Sequence, residues 1–394
     1  MKIGIVTTWF DRGASFVSKQ FMHELGKSKN EIFIYARGGE YFAKGNPDWD
    51  QPNVTWNSFN DSFVPTDINL FQYFLWIKKN KIEVVIFNEQ QYWIPVLLTK
   101  IFRIKTVAYI DYYTTKTYKF FKIYDQLWCN TQRHFEVFKS YGNAKFIKWG
   151  TNISKFMPTE NNDPKIRIYH SSGMNPHRKG TDILIKSLKN TKKSQLEKFD
   201  VLIHSQVELH NDIDFINENK NIRYELGTFD AAKHLGWADV YIYPSRLDGI
   251  GLTLAESIAS GCYVITTNEP PMNEFAKKTF SSLIKVDTYN RRSDNYYWME
   301  CEPSIDSLTD ILNSLNKDLV LEKKIIARNY AQQNLDFERN MSQANKFLLE
   351  LNQTEIDIKT FMAIFAHDIL NLMMANILFR KTNGLLKKIY RKYK

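Results

Sequence analysis

Two carboxylates and two glycines lie close together between residues 241 and 274 of the chain. Asp248 is followed by Gly249 and Gly251, and Glu256 lies eight residues after Asp248. A loop with such glycines exposes backbone N–H groups that bind phosphate, and carboxylates accept hydrogen bonds from sugar hydroxyls. These residue types at this spacing therefore predict an anion site framed by two carboxylates.

The elements that position these residues are predicted from the apolar pattern. Val240–Tyr243 is a short β-rich run that ends in a Pro-Ser turn, which indicates a buried strand. Leu252–Ser260 carries apolar residues at helical spacing, and Gly261 stands where a left-handed residue ends a helix. A further strand at Cys262–Thr266 completes a unit whose helix N-terminus attracts an anion. The alternative is an ordinary βαβ unit in which both carboxylates are solvated surface charges.

Length and composition limit the classes of protein to consider. The 394 residues predict two or three domains, and the 43% of hydrophobic residues indicate a packed globular protein. Cys129, Cys262 and Cys301 are too far apart for a zinc site or a disulfide framework, which fits a reducing cytoplasm. The opening residues, MKIGIVTTWF, become polar too soon for a signal peptide.

The excess positive charge belongs to the C-terminal tail. Residues 380–394 hold seven Lys or Arg and no acid, so they account for most of the net charge of +10. Because the excess of basic residues is confined to this tail, nucleic-acid binding is not expected. Apolar residues recur at helical spacing just before it: Phe361, Ile364, Phe365, Ile369, Leu372, Met373, Ile377 and Leu378. This pattern predicts a helix lying on an anionic membrane. The alternative is a helix packed on its own protein or on a second subunit of a homodimer.

The residues around the predicted anion site resemble the donor-site signature of GT-B glycosyltransferases, specifically the retaining family 4, or glycosyl transferases group 1. The residues that carry the resemblance are Pro244-Ser245, Asp248-x7-Glu256, Gly249-x-Gly251, Ser260-Gly261 and the segment Thr266–Glu274. The family usually has Glu at the position of Asp248. The resemblance implies an α/β fold of the GT-B type, with two Rossmann-like parallel-sheet domains facing a central cleft, followed here by a C-terminal amphipathic helical tail.

In the second domain, the resemblance implies a site for a nucleotide-diphosphate sugar. Lys179-Gly180 before a helix is similar to the family's lysine-glycine step, where the lysine meets the diphosphate. Met174 stands in place of the family's usual arginine, and Arg178 is the candidate replacement. Fixed cations suit such a site because charge builds on the diphosphate as it leaves. The implied donor-binding residues are Arg178, Lys179, Gly227, Thr228, Phe229, Asp248, Gly249, Ile250, Gly251, Leu252, Thr253 and Glu256.

In the first domain, the resemblance implies a loop beside the acceptor and the diphosphate. Arg12 and Gly13 follow the first predicted strand, and Asn88 follows a later one. Family members often carry a histidine at the position of Asp111, and a carboxylate there suits a base that activates the acceptor hydroxyl. The alternative for Asp111 is a helix cap. The candidate catalytic residues are Asp111, Asp248 and Lys179.

Four segments are predicted along the chain. Residues 1–157 form the acceptor domain, 165–335 the donor domain, 336–354 a helix that crosses back, and 355–394 the basic tail. Residues 290–301 are predicted to form a loop. The main predicted strands are 3–8, 31–36, 81–87, 106–110, 166–171, 199–204 and 222–226.

The expected function is transfer of a sugar from a nucleotide diphosphate to a hydroxyl of a glycan or lipid-linked glycan, in bacterial surface polysaccharide synthesis. The resemblance implies retention of configuration, and no metal or other cofactor is expected. The expected location is the cytoplasm, peripheral at the inner face of the cell membrane. Three alternatives share the fold: a nucleotide-sugar epimerase, a sugar phosphorylase, and a non-catalytic partner subunit that binds the sugar nucleotide.

Overall fold

The computed structural model describes residues 1–37, 43–58, 65–160, 163–209 and 213–381, with the backbone alone for residues 376–381. This part of the chain divides into two compact units, each built around one parallel sheet. Unit 1 comprises Met1–Cys129, His134–Phe146 and the segment from Ala344 onward, and unit 2 comprises Asn130–Arg133 and Ile147–Gln343. The α/β prediction with two Rossmann-like sheets is confirmed.

The sheet of unit 1 has seven parallel strands within the described residues. They are β1 (Lys2–Thr8), β2 (Glu31–Arg37), β3 (Val54–Trp56), β4 (Val84–Asn88), β5 (Lys105–Ile110), β6 (Gln126–Cys129) and β7 (Ala144–Phe146). Their order is β3-β2-β1-β4-β5-β6-β7. The central strands are buried on both faces, which explains their continuous apolar runs. The order reverses beside β1, so the loops after β1 and β4 diverge there and leave room for a ligand.

Helices cover the sheet of unit 1. They are α1 (Gly13–Lys27), α2 (Leu70–Asn80), α3 (Ile94–Ile101) and α4 (Gln132–Phe138), of which α4 begins in the segment grouped with unit 2. No helix or strand was predicted between residues 37 and 80. Four of the eleven residues of α2 are aromatic, a composition typical of strands. The helix is nevertheless capped by Asn69, whose side chain accepts a hydrogen bond from the Gln72 N–H at 3.0 Å.

Unit 2 repeats this plan with six parallel strands. They are β8 (Ile166–Gly173), β9 (Phe199–Ser205), β10 (Ile222–Leu226), β11 (Val240–Tyr243), β12 (Tyr263–Thr267) and β13 (Ser281–Ile284). Their order, β10-β9-β8-β11-β12-β13, again reverses next to the first strand. The core on one face of the sheet consists mainly of aliphatic side chains, such as Ile168, Ile203, Val240 and Ile265. The predicted strands of both units are confirmed, with ends that differ by at most three residues.

The remaining elements of unit 2 surround this sheet. The helices that follow its strands are α5 (Thr181–Asn190), α6 (Lys193–Leu196), α7 (Ile213–Glu218), α8 (Ala231–Trp237), α9 (Leu252–Ala259), α10 (Met272–Phe275), α11 (Ile305–Ser314) and α12 (Lys317–Asn334). An antiparallel pair, β14 (Val286–Asn290) with β15 (Glu300–Pro303), flanks the stretch predicted as a loop. That prediction is wrong at both ends. Most side chains of β14 are exposed, so the pair lacks the apolar alternation that would have identified it.

Two helices end the described chain. The first, α13 (Phe337–Leu349), starts in unit 2 and ends in unit 1. The second, α14 (Ile358–Lys381), belongs to unit 1 and packs one face there. Ile364 is buried, and the Asp368 carboxylate accepts hydrogen bonds from the Trp93 and Ile94 N–H groups at 2.6 and 2.9 Å. This carboxylate therefore caps α3 and holds α14 against it.

Candidate active site

The predicted glycine loop connects β11 to α9. Gly251 adopts φ +79° immediately before the first turn of α9, a conformation that a side chain would strain. Gly261 adopts φ +71° after the helix, which confirms the predicted left-handed residue at its C-terminal end. The loop thus makes a sharp turn at the carboxyl end of the sheet, and its N–H groups are directed toward the Asp248 side chain.

Asp248 accepts hydrogen bonds from four donors. Its Oδ2 is 2.5 Å from the Lys179 Nζ and also accepts from the Tyr243 hydroxyl, while its Oδ1 accepts from the N–H groups of Gly249 at 2.8 Å and Gly251 at 3.2 Å. Burial alone would raise the pKa of Asp248, but the charges of Lys179 and Arg178 together with the hydrogen bonds from Lys179 and Tyr243 outweigh it and hold the pKa well below its usual range. Asp248 is therefore an ionised carboxylate surrounded by donors.

The loop between β8 and α5 brings Lys179 to this carboxylate. The Arg178 carbonyl accepts hydrogen bonds from the Ser245 hydroxyl at 3.1 Å and from the Arg246 N–H at 2.8 Å. Gly180 follows with φ +71°, and a Cβ on it would lie 1.9 Å from the Pro244 carbonyl oxygen. Only glycine allows this approach, so the lysine-glycine step is required by the contact with the turn after β11.

Arg246 also holds the Lys179 loop in place, and this role was not predicted from the sequence. Its side chain is only 4% exposed and bonds Asp182 at 2.7 and 2.8 Å and Glu302 at 2.6 and 2.7 Å. It also donates to the His177 carbonyl. These two carboxylates overcome the effect of burial and raise the pKa of Arg246. A bidentate arginine at this position connects the start of α5, the lysine loop and β15.

Glu256 lies on the first turns of α9 in a different environment. No described residue donates a hydrogen bond to its half-buried carboxylate. Burial raises the pKa of Glu256 to about 7. Nearby, the Tyr241 hydroxyl donates to Thr253 Oγ1 at 2.8 Å, while Leu252 begins the helix and Ile250 is buried in the loop. Glu256 is thus an acceptor that a hydroxyl-bearing ligand would satisfy.

The predicted segment Gly227–Phe229 follows β10 directly. Gly227 adopts φ +129° and donates its N–H to the Ser205 carbonyl at 2.8 Å, which ties the turn to β9. The exposed Thr228 follows, and the Phe229 ring packs on the His204 ring with centroids 4.3 Å apart. The segment is therefore anchored by an aromatic contact within unit 2.

In unit 1, the predicted acceptor residues follow three adjacent strands. Arg12 is exposed at the start of α1 after β1, with Gly13 next to it, and Asp111 is half-buried directly after β5. Asn88 ends β4 and is fully buried, and its amide donates to the Ala14 carbonyl at 2.9 Å and the Ser18 hydroxyl at 2.7 Å. Asn88 therefore positions the start of α1, and contact of these four residues with an acceptor stays a prediction.

Two further residues beside Asp248 were not predicted. Tyr243 had the pattern of a core residue of β11, but its hydroxyl reaches the carboxylate. Arg133 donates to the backbone carbonyls of Asp248 at 2.5 Å and Pro270 at 2.7 Å and lies over the Trp298 ring. Arg133 is 115 positions from Asp248, so no local pattern indicates this contact.

The residues of this site are similar to those of known proteins. The family model described as glycosyl transferases group 1 matches residues 152–331, which include the Lys179 loop, Asp248 and Glu256. Residues 152–331 are thus similar to the glycosyl transferases group 1 family over a little less than half of the chain. The O-antigen biosynthesis glycosyltransferase WclY of Escherichia coli is 32% identical over 127 residues, 29% of this chain. The match spans only 35% of that relative.

Solved structures are similar in fold over most of the chain. Alr3699/HepE of Anabaena, crystallised with UDP and glucose, has a TM-score of 0.67 at 14% identity, covering 89% of this chain and all of that one. The pneumococcal O-GlcNAc transferase GtfA, crystallised with UDP and GlcNAc, has a TM-score of 0.68 at 12% identity, covering 89% of this chain and 99% of that one. The implied GT-B fold is confirmed.

Substitution of Gly180 by alanine tests the contact that seats the lysine loop. We expect Gly180→Ala to lower the free energy of unfolding by about 3 kcal/mol or more, because the new Cβ meets the Pro244 carbonyl in addition to the backbone strain. Gly142→Ala is the control, since Gly142 has φ +78° with no heavy atom within 4 Å and should lose only about 1 kcal/mol. Urea unfolding measures the free energy of unfolding of both variants. Equal losses would show that the backbone at Pro244 moves aside without an energetic cost.

Substitution of Glu256 by glutamine should stabilise the ligand-free protein above pH 7. The folded pKa is raised to about 7 from the ordinary value of 4.5, so the contribution of Glu256 to stability falls as pH rises between these values. Glutamine cannot ionise and therefore removes that loss. We expect the free energy of unfolding to rise by about 1–2 kcal/mol at pH 8 and by less at pH 5. Thermal unfolding at both pH values measures this. The exposed Glu322→Gln is the control, and an unchanged melting temperature for Glu256→Gln at pH 8 would contradict the expectation.

Proposed function

We propose that the chain is a glycosyltransferase that moves a sugar from a nucleotide-diphosphate donor to a hydroxyl of a glycan or lipid-linked glycan, with retention, in bacterial surface polysaccharide synthesis. The match of residues 152–331 and the O-antigen relative support this class of reaction and pathway. The UDP in the HepE and GtfA crystals makes uridine diphosphate the first nucleotide to test. Retention rests on the family resemblance.

One observation carries the proposal: a lysine and two backbone N–H groups from separate loops converge on one carboxylate. Lys179, Gly249 and Gly251 all donate to Asp248. A diphosphate needs the same kind of donors, because it too is an anion that accepts charge-assisted hydrogen bonds. When the donor substrate draws Lys179 to its phosphates, the Asp248 carboxylate becomes available to a hydroxyl of the donor sugar.

The chemical roles follow from these environments. Charge develops on the diphosphate as the glycosidic bond breaks, and Lys179 with Arg178 stabilises that charge without a metal. Glu256 accepts hydrogen bonds from the ribose hydroxyls, and the segment Gly227–Phe229 borders the base. Asp111 orients the acceptor hydroxyl or takes its proton.

The lysine gives the sharpest test of donor binding. We expect Lys179→Ala to weaken binding of the cognate nucleoside diphosphate about 10- to 100-fold, the usual worth of hydrogen bonds to charged groups. Calorimetric titration with UDP, GDP, ADP, CDP and dTDP identifies the nucleotide and measures the loss. Lys186→Ala is the control, because Lys186 lies on α5 with a side chain that is 51% exposed and should leave the affinity unchanged.

Failure to retain any of these nucleotides, or equal losses for both lysine variants, would contradict the proposal. Incubation with the retained nucleotide sugar separates the remaining alternatives. An isomerised sugar with donor alone indicates an epimerase, and dependence on inorganic phosphate indicates a phosphorylase. Transfer to a glycan acceptor is the expected result.

The proposal includes a peripheral membrane contact through α14. The face opposite Ile364 and Asp368 is apolar and exposed, and the seven basic residues of 380–394 end the chain. By length and composition, Ile358–Ala375 would also suffice to cross a membrane, with mean hydropathy 1.3. An exposed apolar face next to a cluster of basic residues suits a helix that lies on an anionic bilayer. Such a helix would bring the enzyme to a lipid-linked acceptor. The exposed apolar residues are Ile358, Met362, Phe365, Leu370, Met373 and Met374.

Two glutamates on the exposed face should abolish this contact without disturbing the packed face. We expect the full chain to pellet with vesicles containing anionic lipid, and Met362→Glu with Met373→Glu to reduce the bound fraction at least tenfold. The control carries the same charge change on α12, as Leu321→Glu with Ile325→Glu, where both side chains are exposed. Equal pelleting of the α14 variant and the wild type would contradict the membrane contact.

A further inference from the structure

Three side chains that could ligate a metal converge where two strands and a helix meet in unit 2. His204 of β9 and Glu225 of β10 are direct register partners in adjacent parallel strands, so both side chains leave the same face of the sheet. His234 of α8 packs above them, its ring centroid 5.1 Å from that of His204. One ligand atom from each residue lies within 4.8 Å of the other two.

The hydrogen bond of His234 fixes which nitrogen faces the cluster. Its Nδ1 is 2.8 Å from the Asp230 carbonyl oxygen, which can only accept, so Nδ1 carries the proton. His234 Nε2 then faces Glu225, 3.6 Å from its Oε2. A cation bound between these two atoms would accept a lone pair from each. A backbone carbonyl that orients the other nitrogen is the usual outer partner of a metal-binding histidine.

His204 supplies an independent observation. The residue is 3% exposed, and its Nδ1 is buried without a hydrogen-bond partner among the described residues. A buried nitrogen without a partner is unfavourable, and such groups are rare. Glu225 is on the open side with 46% of its side chain exposed, so an ion can reach the cluster from solvent.

We propose that His204, Glu225 and His234 bind one divalent transition-metal ion of the zinc class. Two imidazoles and one carboxylate are a common ligand set for zinc, and water completes the tetrahedron. Ligand atoms in such a site are about 3.3 Å apart, given bonds of about 2.0 Å, so the Glu225–His234 separation needs little adjustment. The ion would join β9, β10 and α8 and thereby hold the turn Gly227–Asp230, which connects β10 to α8.

The three ligands do not bond the residues that are proposed to meet the diphosphate, although His204 packs on Phe229 of the segment proposed to border the base. None of the three contacts Lys179 or Asp248 through a hydrogen bond or ion pair in the part of the chain that the structure describes. The ion has a structural role, and the leaving diphosphate does not need it. Metal binding can therefore be measured with no nucleotide present, so its result is independent of the proposed activity.

Cobalt titration of the full chain tests the site. Untagged protein stripped with EDTA and dialysed at pH 8 is titrated with Co²⁺, and the visible absorption of tetrahedral cobalt is followed. We expect one ion per chain, displaced by Zn²⁺, and affinities at least tenfold lower for Glu225→Gln and for His234→Gln. His23→Gln is the control, because His23 lies 3.0 Å from Glu24 on α1 but belongs to no cluster of three ligands among the described residues.

Circular dichroism in EDTA shows that each variant is folded before titration. Absence of stoichiometric cobalt binding by the wild type would overturn the proposal. So would wild-type affinity in Glu225→Gln and His234→Gln, which would locate the ion elsewhere, or an equal loss in His23→Gln, which would indicate adventitious surface binding only.

Discussion

The ionised carboxylate of Asp248 and the ammonium of Lys179 form a pair whose side chains are 12% and 17% exposed, and the arrangement of the candidate site depends on it. Leaving either charge alone in this position would be strongly unfavourable, so each holds the other in place. Tyr243 and two backbone N–H groups complete the hydrogen bonds of the carboxylate. The proposed function assigns these same donors to the leaving diphosphate, and in the structure they are assembled on the Asp248 carboxylate.

The ion pair is maintained because the loop that carries Lys179 and the loop that carries Asp248 are held together. Gly180 lets the lysine loop approach the Pro244 carbonyl more closely than any other residue would, and Arg246 holds the loop through the His177 carbonyl. Arg246 is itself held by Asp182 and Glu302 on different elements. The result is preorganisation: the Lys179 ammonium is held in one position, so an anion that binds there would require little ordering of the loop.

Most of the fold of unit 2 and the location of its site could be predicted from the sequence, because the information is local. Residue types alone indicate the local conformation at several positions. Examples are the β-rich run Val240–Tyr243, the glycines around Asp248 and the left-handed Gly261 after α9. Arg246 and Arg133 could not be recognised in this way. The hydrogen-bond partners of their side chains lie between 56 and 137 positions away, and an arginine in a loop has the same sequence signal whether it is buried or exposed. The raised pKa of Glu256 likewise depends on packing that no spacing reveals.

The packing of α14 limits how it can meet a membrane. Its window Ile358–Ala375 is long enough to span, yet Asp368 lies within that window, with only 1% of the residue exposed, capping α3. A spanning helix would have to release this carboxylate into hydrocarbon, at a cost of about 2.5–3.5 kcal/mol on insertion scales. It would also leave the first N–H groups of α3 without their acceptor. A helix that lies on the surface keeps these bonds and buries only its outer face in lipid. The capping aspartate therefore favours the peripheral arrangement over the spanning one.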